Sequence, residues 1–129
     1  MATTKLSVRE YVTAEGQSPF RTWLAGLDTS VRARLQARVL RFETGNLGDH
    51  RGVGEGVWEA RCDFGPGYRI YFAKAGNMIL LLLLGGDKSS QRADIRRAQA
   101  YWTDYQEATR RGTPKQGLES RARRGPARR

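Results

Sequence analysis

The stretch Trp58–Gln91, WEARCDFGPGYRIYFAKAGNMILLLLLGGDKSSQ, sets the fold, because it carries three strand-length runs in hairpin succession and ends at a helix start. Val57–Asp63 alternates Trp58, Ala60 and Cys62 with Glu59, Arg61 and Asp63, a pattern of one apolar and one charged face. FGPG turns the chain, and Tyr68–Lys74 follows with Arg69 and Tyr71 on one face and Tyr68, Ile70 and Phe72 on the other. After a second turn at Ala75–Asn77, Met78–Leu84 is apolar on both faces, as expected of a central strand covered on each side. Gly85 and Gly86 then break the pattern.

Working outward, Lys5–Val12 alternates as a first strand. Ser18-Pro19 starts a short helix that presents Phe20, Trp23, Leu24 and Leu27 at helical spacing and runs to about Gly26. A second helix follows the cap at Asp28–Ser30, with Val31, Leu35, Val39 and Phe42 as its apolar stripe and Arg32, Arg34, Arg38 and Arg41 pointing elsewhere. Gly45–Gly56 carries five glycines and reads as a loop. Downstream, Ser89 or Ser90 caps a third helix bearing Ile95, Ala98, Trp102 and Tyr105, which fades near Ala108. The expected fold is α+β, a small and largely antiparallel sheet in the order β-α-α-β-β-β-α.

The chain has 129 residues and a net charge of +10, and its length suits one domain, residues 1–108. Residues 109–129 read as a disordered basic tail. From Arg110 to Arg129 eight Lys or Arg stand against Glu119 alone, so +7 of the charge lies there and only +3 in the body. Such a tail is either a nucleic-acid arm or a solvated extension. Cys62 is the sole cysteine and His50 the sole histidine, which excludes an intrachain disulfide and leaves a zinc site short of its usual ligands. His50 lies in the glycine-rich stretch and is expected to be solvent-exposed. The N-terminus lacks a basic region followed by an apolar block, and the longest apolar run is far too short for a bilayer. A cytoplasmic protein with no membrane partner is therefore expected.

Arg61, Arg69 and Lys88 are the residues that suit a phosphodiester. If the FGPG connection is odd in length or bulged, Arg61 and Arg69 share a face and two guanidiniums bind a phosphate by forked hydrogen bonds. The other reading for either arginine is a surface ion pair with Glu59 or Asp63. Lys88 follows a Gly-Gly turn at a helix N-terminus, where free amides favour an anion, although GGDKSS has the wrong glycine spacing for a nucleotide-binding P-loop. Glu55 and Glu59 are the candidate general bases. Tyr71, on the face of Arg69, is the aromatic placed to stack an unpaired base, with Lys74 and Ser89 as further substrate-binding candidates.

The blocks VGEGVWEARCDFGPGYRIYF (53–72) and LLLGGDKSSQRADIRRAQAYW (82–102) resemble those of the RelE/ParE superfamily of toxins, and most closely its HigB-like branch, the addiction module killer proteins. The resemblance spans about residues 4 to 107. It implies a RelE-like fold and a toxin of a type II toxin-antitoxin module that acts on mRNA in the ribosomal A site, activating a ribose 2′-hydroxyl without a metal or cofactor. Arg69 matches the strand arginine that stabilises the scissile phosphate, Arg61 and Glu59 fall where basic strand residues stand in the RelE type, and Lys88 falls near its phosphate-binding arginine. Glu55 resembles in position the carboxylate base of the YoeB type, and Asp94 falls near the place of the RelE catalytic tyrosine. The implied partners are mRNA, the ribosome and a cognate antitoxin with a helix-turn-helix DNA-binding domain. ParE relatives instead inhibit DNA gyrase, which leaves a non-enzymatic inhibitor as the alternative, and a tail-driven RNA-binding module as a third.

Overall fold

The apolar run that ends in GGDKSS lies in the middle of a sheet, with Leu80–Leu84 buried on both faces. In the structure, a computed structural model, residues 5–112 and 118–119 are described. Along the chain these form β1 (Ser7–Glu10), α1 (Pro19–Ala25), α2 (Thr29–Glu43), β2 (His50–Gly54), β3 (Val57–Arg61), β4 (Arg69–Ala75), β5 (Ile79–Gly86), a 3-10 turn (Lys88–Ser90), α3 (Gln91–Arg110) and the two-residue β6 (Leu118–Glu119). The sheet order is β2-β3-β4-β5-β1-β6. One face packs on α1 and α2 through Phe20, Leu24, Leu35, Val39 and Phe42, and the other on α3 through Ala98 and Trp102. The result is an α+β domain with a sheet between two helical layers. Among the described residues, no helix is long and apolar enough to cross a membrane.

The largely antiparallel sheet is refined at one pairing, and two further expectations about it are corrected. The sheet is mixed, because β1 runs parallel to β5, with Ser7 beside Ile79 and Glu10 beside Leu82. A parallel partner is reached through a long crossover, here α1, α2 and three strands, so no local pattern announces it. The glycine-rich stretch read as a loop contains β2, an edge strand paired with β3. Its glycines are consistent with a strand because Gly52 leaves room for the Trp58 ring opposite, and Glu55-Gly56, both at positive φ, close a two-residue hairpin. Gly85 and Gly86 end β5 from within, opposite Ile70 and Arg69.

The helix starts were legible from their caps. Ser18 accepts the Arg21 amide at 3.1 Å and Asp28 the Ser30 amide at 3.3 Å. The third helix continues to Arg110, two residues past the expected end. Leu118 and Glu119, inside the segment read as disordered, pair antiparallel with Glu10 and Arg9 of β1. The remainder of that tail lies outside the described residues.

Between β4 and β5 the register shifts: Tyr71 faces Leu84 and Phe72 faces Leu82, leaving Leu83 as the extra residue of a bulge. The bulge re-aims the end of β5, so that Gly85 lies under the Trp23 ring of α1 and Gly86 under the Asp94 carboxylate of α3. A Cβ at either position overlaps those atoms. Gly85→Ala is therefore expected to destabilise the chain by about 1–3 kcal/mol or more, since the aromatic ring has to move. A urea titration that finds no loss would refute this packing.

Candidate functional site

Seven residues separate Arg61 from Arg69, an odd loop, and the two arginines are direct partners across the β3–β4 ladder. Glu59 is likewise opposite Tyr71. Side chains directly opposite in an antiparallel pair share a face, so all four lie on the α3 side. The condition for a shared face, an odd connection between the two arginines, is met.

The loop that imposes this register is closed by Cys62 N–H to the Tyr68 carbonyl at 2.9 Å and turns at Gly65 and Gly67, both at positive φ. Lys88 N–H donates to the Pro66 carbonyl at 3.3 Å, which ties the GGDKSS turn to the loop. Asp87 holds that turn by accepting the amide and hydroxyl of Ser89 at 2.8 and 2.6 Å. Arg61, Arg69 and Lys88 thus line one open depression of about 720 Å³, together with Asp49, Asp63 and the Phe64–Gly67 loop. Ser89 sits beside Lys88 on the turn, with its hydroxyl engaged by Asp87.

The three cations differ in freedom. Arg69 is only 8% exposed; its Nη1 donates to the Gly67 carbonyl at 3.1 Å and its Nε lies 3.4 Å from Glu59 Oε2. Arg61 is on the rim, 3.3 Å from Asp49, an exposed pair that contributes at most about 1 kcal/mol. Lys88 is exposed and has no side-chain partner among the described residues. One cation is fixed, one is loosely held and one is available.

What fixes Arg69 is Glu59, which is fully buried. Its Oε2 receives Gln91 Nε2 at 2.7 Å and the Tyr71 hydroxyl at 3.2 Å, and its Oε1 receives Arg51 Nε at 3.0 Å. With both oxygens engaged, Glu59 positions the arginine and is not available as a general base. Tyr71 is corrected in the same way: fully buried and bonded to Glu59, it presents no ring face to a base. Arg51 and Gln91 were missed in the sequence. Gln91 closes the GGDKSSQ block, whereas Arg51 lies among glycines where no periodicity marks it.

Glu55 forms the β2–β3 turn at φ 57°, beyond the opposite end of β3 from Arg61. Val57 and Arg61 are four residue steps of extended strand apart, about 13 Å, so Glu55 does not join the site. Lys74 alternates onto the other face and stands 5.2 Å over the Trp58 ring. His50 is half-buried in β2, against Trp58 and Phe72, with Nδ1 2.8 Å from the Gly48 carbonyl, and not exposed in a loop. Asp94, buried under Gly86, accepts the Ser90 hydroxyl at 2.5 Å.

Arg38 departs most from its expected place. Instead of pointing away from the core with Arg32, Arg34 and Arg41 it is buried, with Nη1 donating to the Arg61 carbonyl at 2.7 Å and Nη2 to the Leu47 and Asp49 carbonyls at 3.1 Å each. One guanidinium thereby satisfies carbonyls of both the β3 end and the preceding loop, and holds Asp49 beside Arg61. Only Gly48 permits the approach, since a Cβ there would stand 2.9 Å from Nη2.

Burial, reinforced by Glu59, raises the Tyr71 phenol well above its ordinary value of 10.0, and burial with the Asp104 hydrogen bond does the same for Tyr11. In the unfolded chain both phenols ionise near pH 10 while the folded ones keep their protons. Their contribution is therefore complete below about pH 10 and is lost as the pH rises beyond it. Thermal melts between about pH 8 and 11 should show the midpoint falling above pH 10, with a shallower fall in Tyr71→Phe than in the parent. Equal slopes would refute the assignment.

Among models of known protein families, none matches the chain. An uncharacterized protein of Haemophilus influenzae is 41% identical over 81 residues, covering 62% of this chain and 82% of that protein. The chain belongs to that protein's family.

Proposed function

We propose that the chain is the toxin of a type II toxin-antitoxin module, of the HigB-like branch of the RelE/ParE superfamily, acting in the cytoplasm as a metal-independent endoribonuclease on ribosome-bound mRNA. The observation that supports this most is the meeting of Arg61, Arg69 and Lys88 in one open depression, with Arg69 held by a buried carboxylate. A fixed guanidinium beside an unpaired ammonium suits the charge that builds on a phosphate as a 2′-hydroxyl attacks it. In that reaction the ribose O2′–P bond forms, the P–O5′ bond breaks, and the proton taken from O2′ is returned to the leaving O5′, so that the products are a 2′,3′-cyclic phosphate and a 5′-hydroxyl. Arg69 neutralises the phosphate, Lys88 and Arg61 steady the flanking charge, and the proton acceptor is drawn from Asp49 and Asp63, which line the depression, in place of Glu55 or Glu59. A helix-turn-helix antitoxin is the expected partner.

Expression of the chain followed by primer-extension mapping tests the reading. Growth arrest with new transcript ends bearing cyclic phosphates supports it. Growth arrest with intact transcripts and blocked DNA supercoiling would replace it with a gyrase inhibitor.

A further inference from the structure

The two shoulders of α3 differ in how their charges are matched. On the shoulder toward β1, Arg97 lies 3.8 Å from Asp94 and donates to the Tyr101 hydroxyl at 3.1 Å, while Asp104 accepts the Tyr11 hydroxyl at 2.6 Å. On the other shoulder, Gln99 donates to the Val53 carbonyl of β2 at 3.1 Å, which turns that face of the helix toward the edge strand. Arg92 and Arg96 fall within about 60° of Gln99 around the helix axis, at 100° per residue, and so share that shoulder. Both are exposed, and neither has an ion-pair partner among the described residues. Arg51 of β2, its side chain 54% exposed, projects on the same side of the sheet beside Gln91.

These cations continue the depression. Lys88 stands at its lip and at the head of α3, and Arg92 and Arg96 follow one helical turn apart, about 6 Å. We propose that the α3–β2 shoulder is a track for the phosphates that flank the one in the depression, so that the chain holds several consecutive nucleotides of a single strand. The inference rests on the reading that the depression takes a phosphodiester. Glu59 does not compete, because it is buried and bonded to Arg51, Tyr71 and Gln91, and the exposed Glu55 stands at the β2–β3 turn, where it marks the far end of the shoulder. A strand lying there gains charge neutralisation without base recognition, since among the described residues the shoulder presents guanidiniums and no exposed aromatic ring.

The probe is a 2′-O-methyl oligoribonucleotide, which keeps its phosphates and offers no 2′-hydroxyl for attack. Its affinity for the full chain is measured across a salt series. Each phosphate contact on a single strand contributes about 0.7 to the slope of log affinity against log salt, so the double variant Arg92→Ala/Arg96→Ala should flatten that slope by about 1.4. Arg41→Ala, an exposed arginine of α2 on the opposite face of the sheet, should leave it unchanged. An unaltered slope in the double variant overturns the track, as does an equal loss by Arg41→Ala. Equal weakening toward polyglutamate would show a general anion surface and also overturn it. Failure of the ribonuclease reading shows separately, as unmodified RNA left uncut by a protein whose slope still responds to Arg92 and Arg96.

Discussion

Arg69→Ala is expected to lower RNA cleavage by about 100- to 1,000-fold while the chain still folds. The guanidinium is nearly buried, aimed by Glu59 and by the Gly67 carbonyl, and so meets a phosphate without having to be ordered first. Preorganised charge of this kind acts on the transition state, so the loss should fall on kcat more than on KM. Arg69→Lys should recover only part of the activity, because an ammonium cannot reach both Glu59 and the phosphate through a planar fork. Glu59 keeps Arg51, Tyr71 and Gln91 in either variant, which limits the stability cost to about 1–3 kcal/mol. The measurements are cleavage rates with a defined transcript and a thermal melt of each variant. Full activity in a folded Arg69→Ala protein would remove the depression from consideration as the active site.

Glu59→Ala should be the most damaging change to stability, about 3–5 kcal/mol in urea unfolding. It leaves the Arg69 guanidinium in a nearly closed site without its carboxylate and strips the Tyr71 hydroxyl and the Gln91 amide of their acceptor. Arg51 adds little to this cost, because its half-exposed side chain can turn to water. Glu59→Gln keeps one acceptor oxygen and should cost less, about 1–3 kcal/mol. A loss below about 1 kcal/mol for Glu59→Ala would mean that the cluster does not hold the sheet and α3 together.

Much of the site's list of cations was legible in advance, and little of its acid-base assignment. Arg61, Arg69 and Lys88 could be singled out because each sits next to a turn signal, FGPG or GGDKSS, that limits where the chain goes next. Glu59 could be placed on the face of Arg61, and Tyr71 on that of Arg69, by alternation within each strand. Alternation does not say how deeply that face is covered, and α3 closes over it, so a candidate base and a candidate stacking ring both became buried supports for Arg69. Arg38 was misplaced for a related reason. Its helix stripe is read from apolar residues, and a guanidinium that satisfies three carbonyls across two other segments leaves no periodic trace.

By itself the sequence determined the elements that local physics controls: the capped starts of α1 and α2, the alternating β3 and β4 and the apolar central strand. Tertiary structure alone decided the parallel pairing of β1 with β5, because those partners are about seventy residues apart and share no turn. It also decided the bulge at Leu83, the edge strand among the glycines and the convergence of Arg51, Arg69, Tyr71 and Gln91 on Glu59. Those outcomes depend on which side chains are desolvated together when separate elements meet, and desolvation is a property of the assembled layers, not of any segment within them.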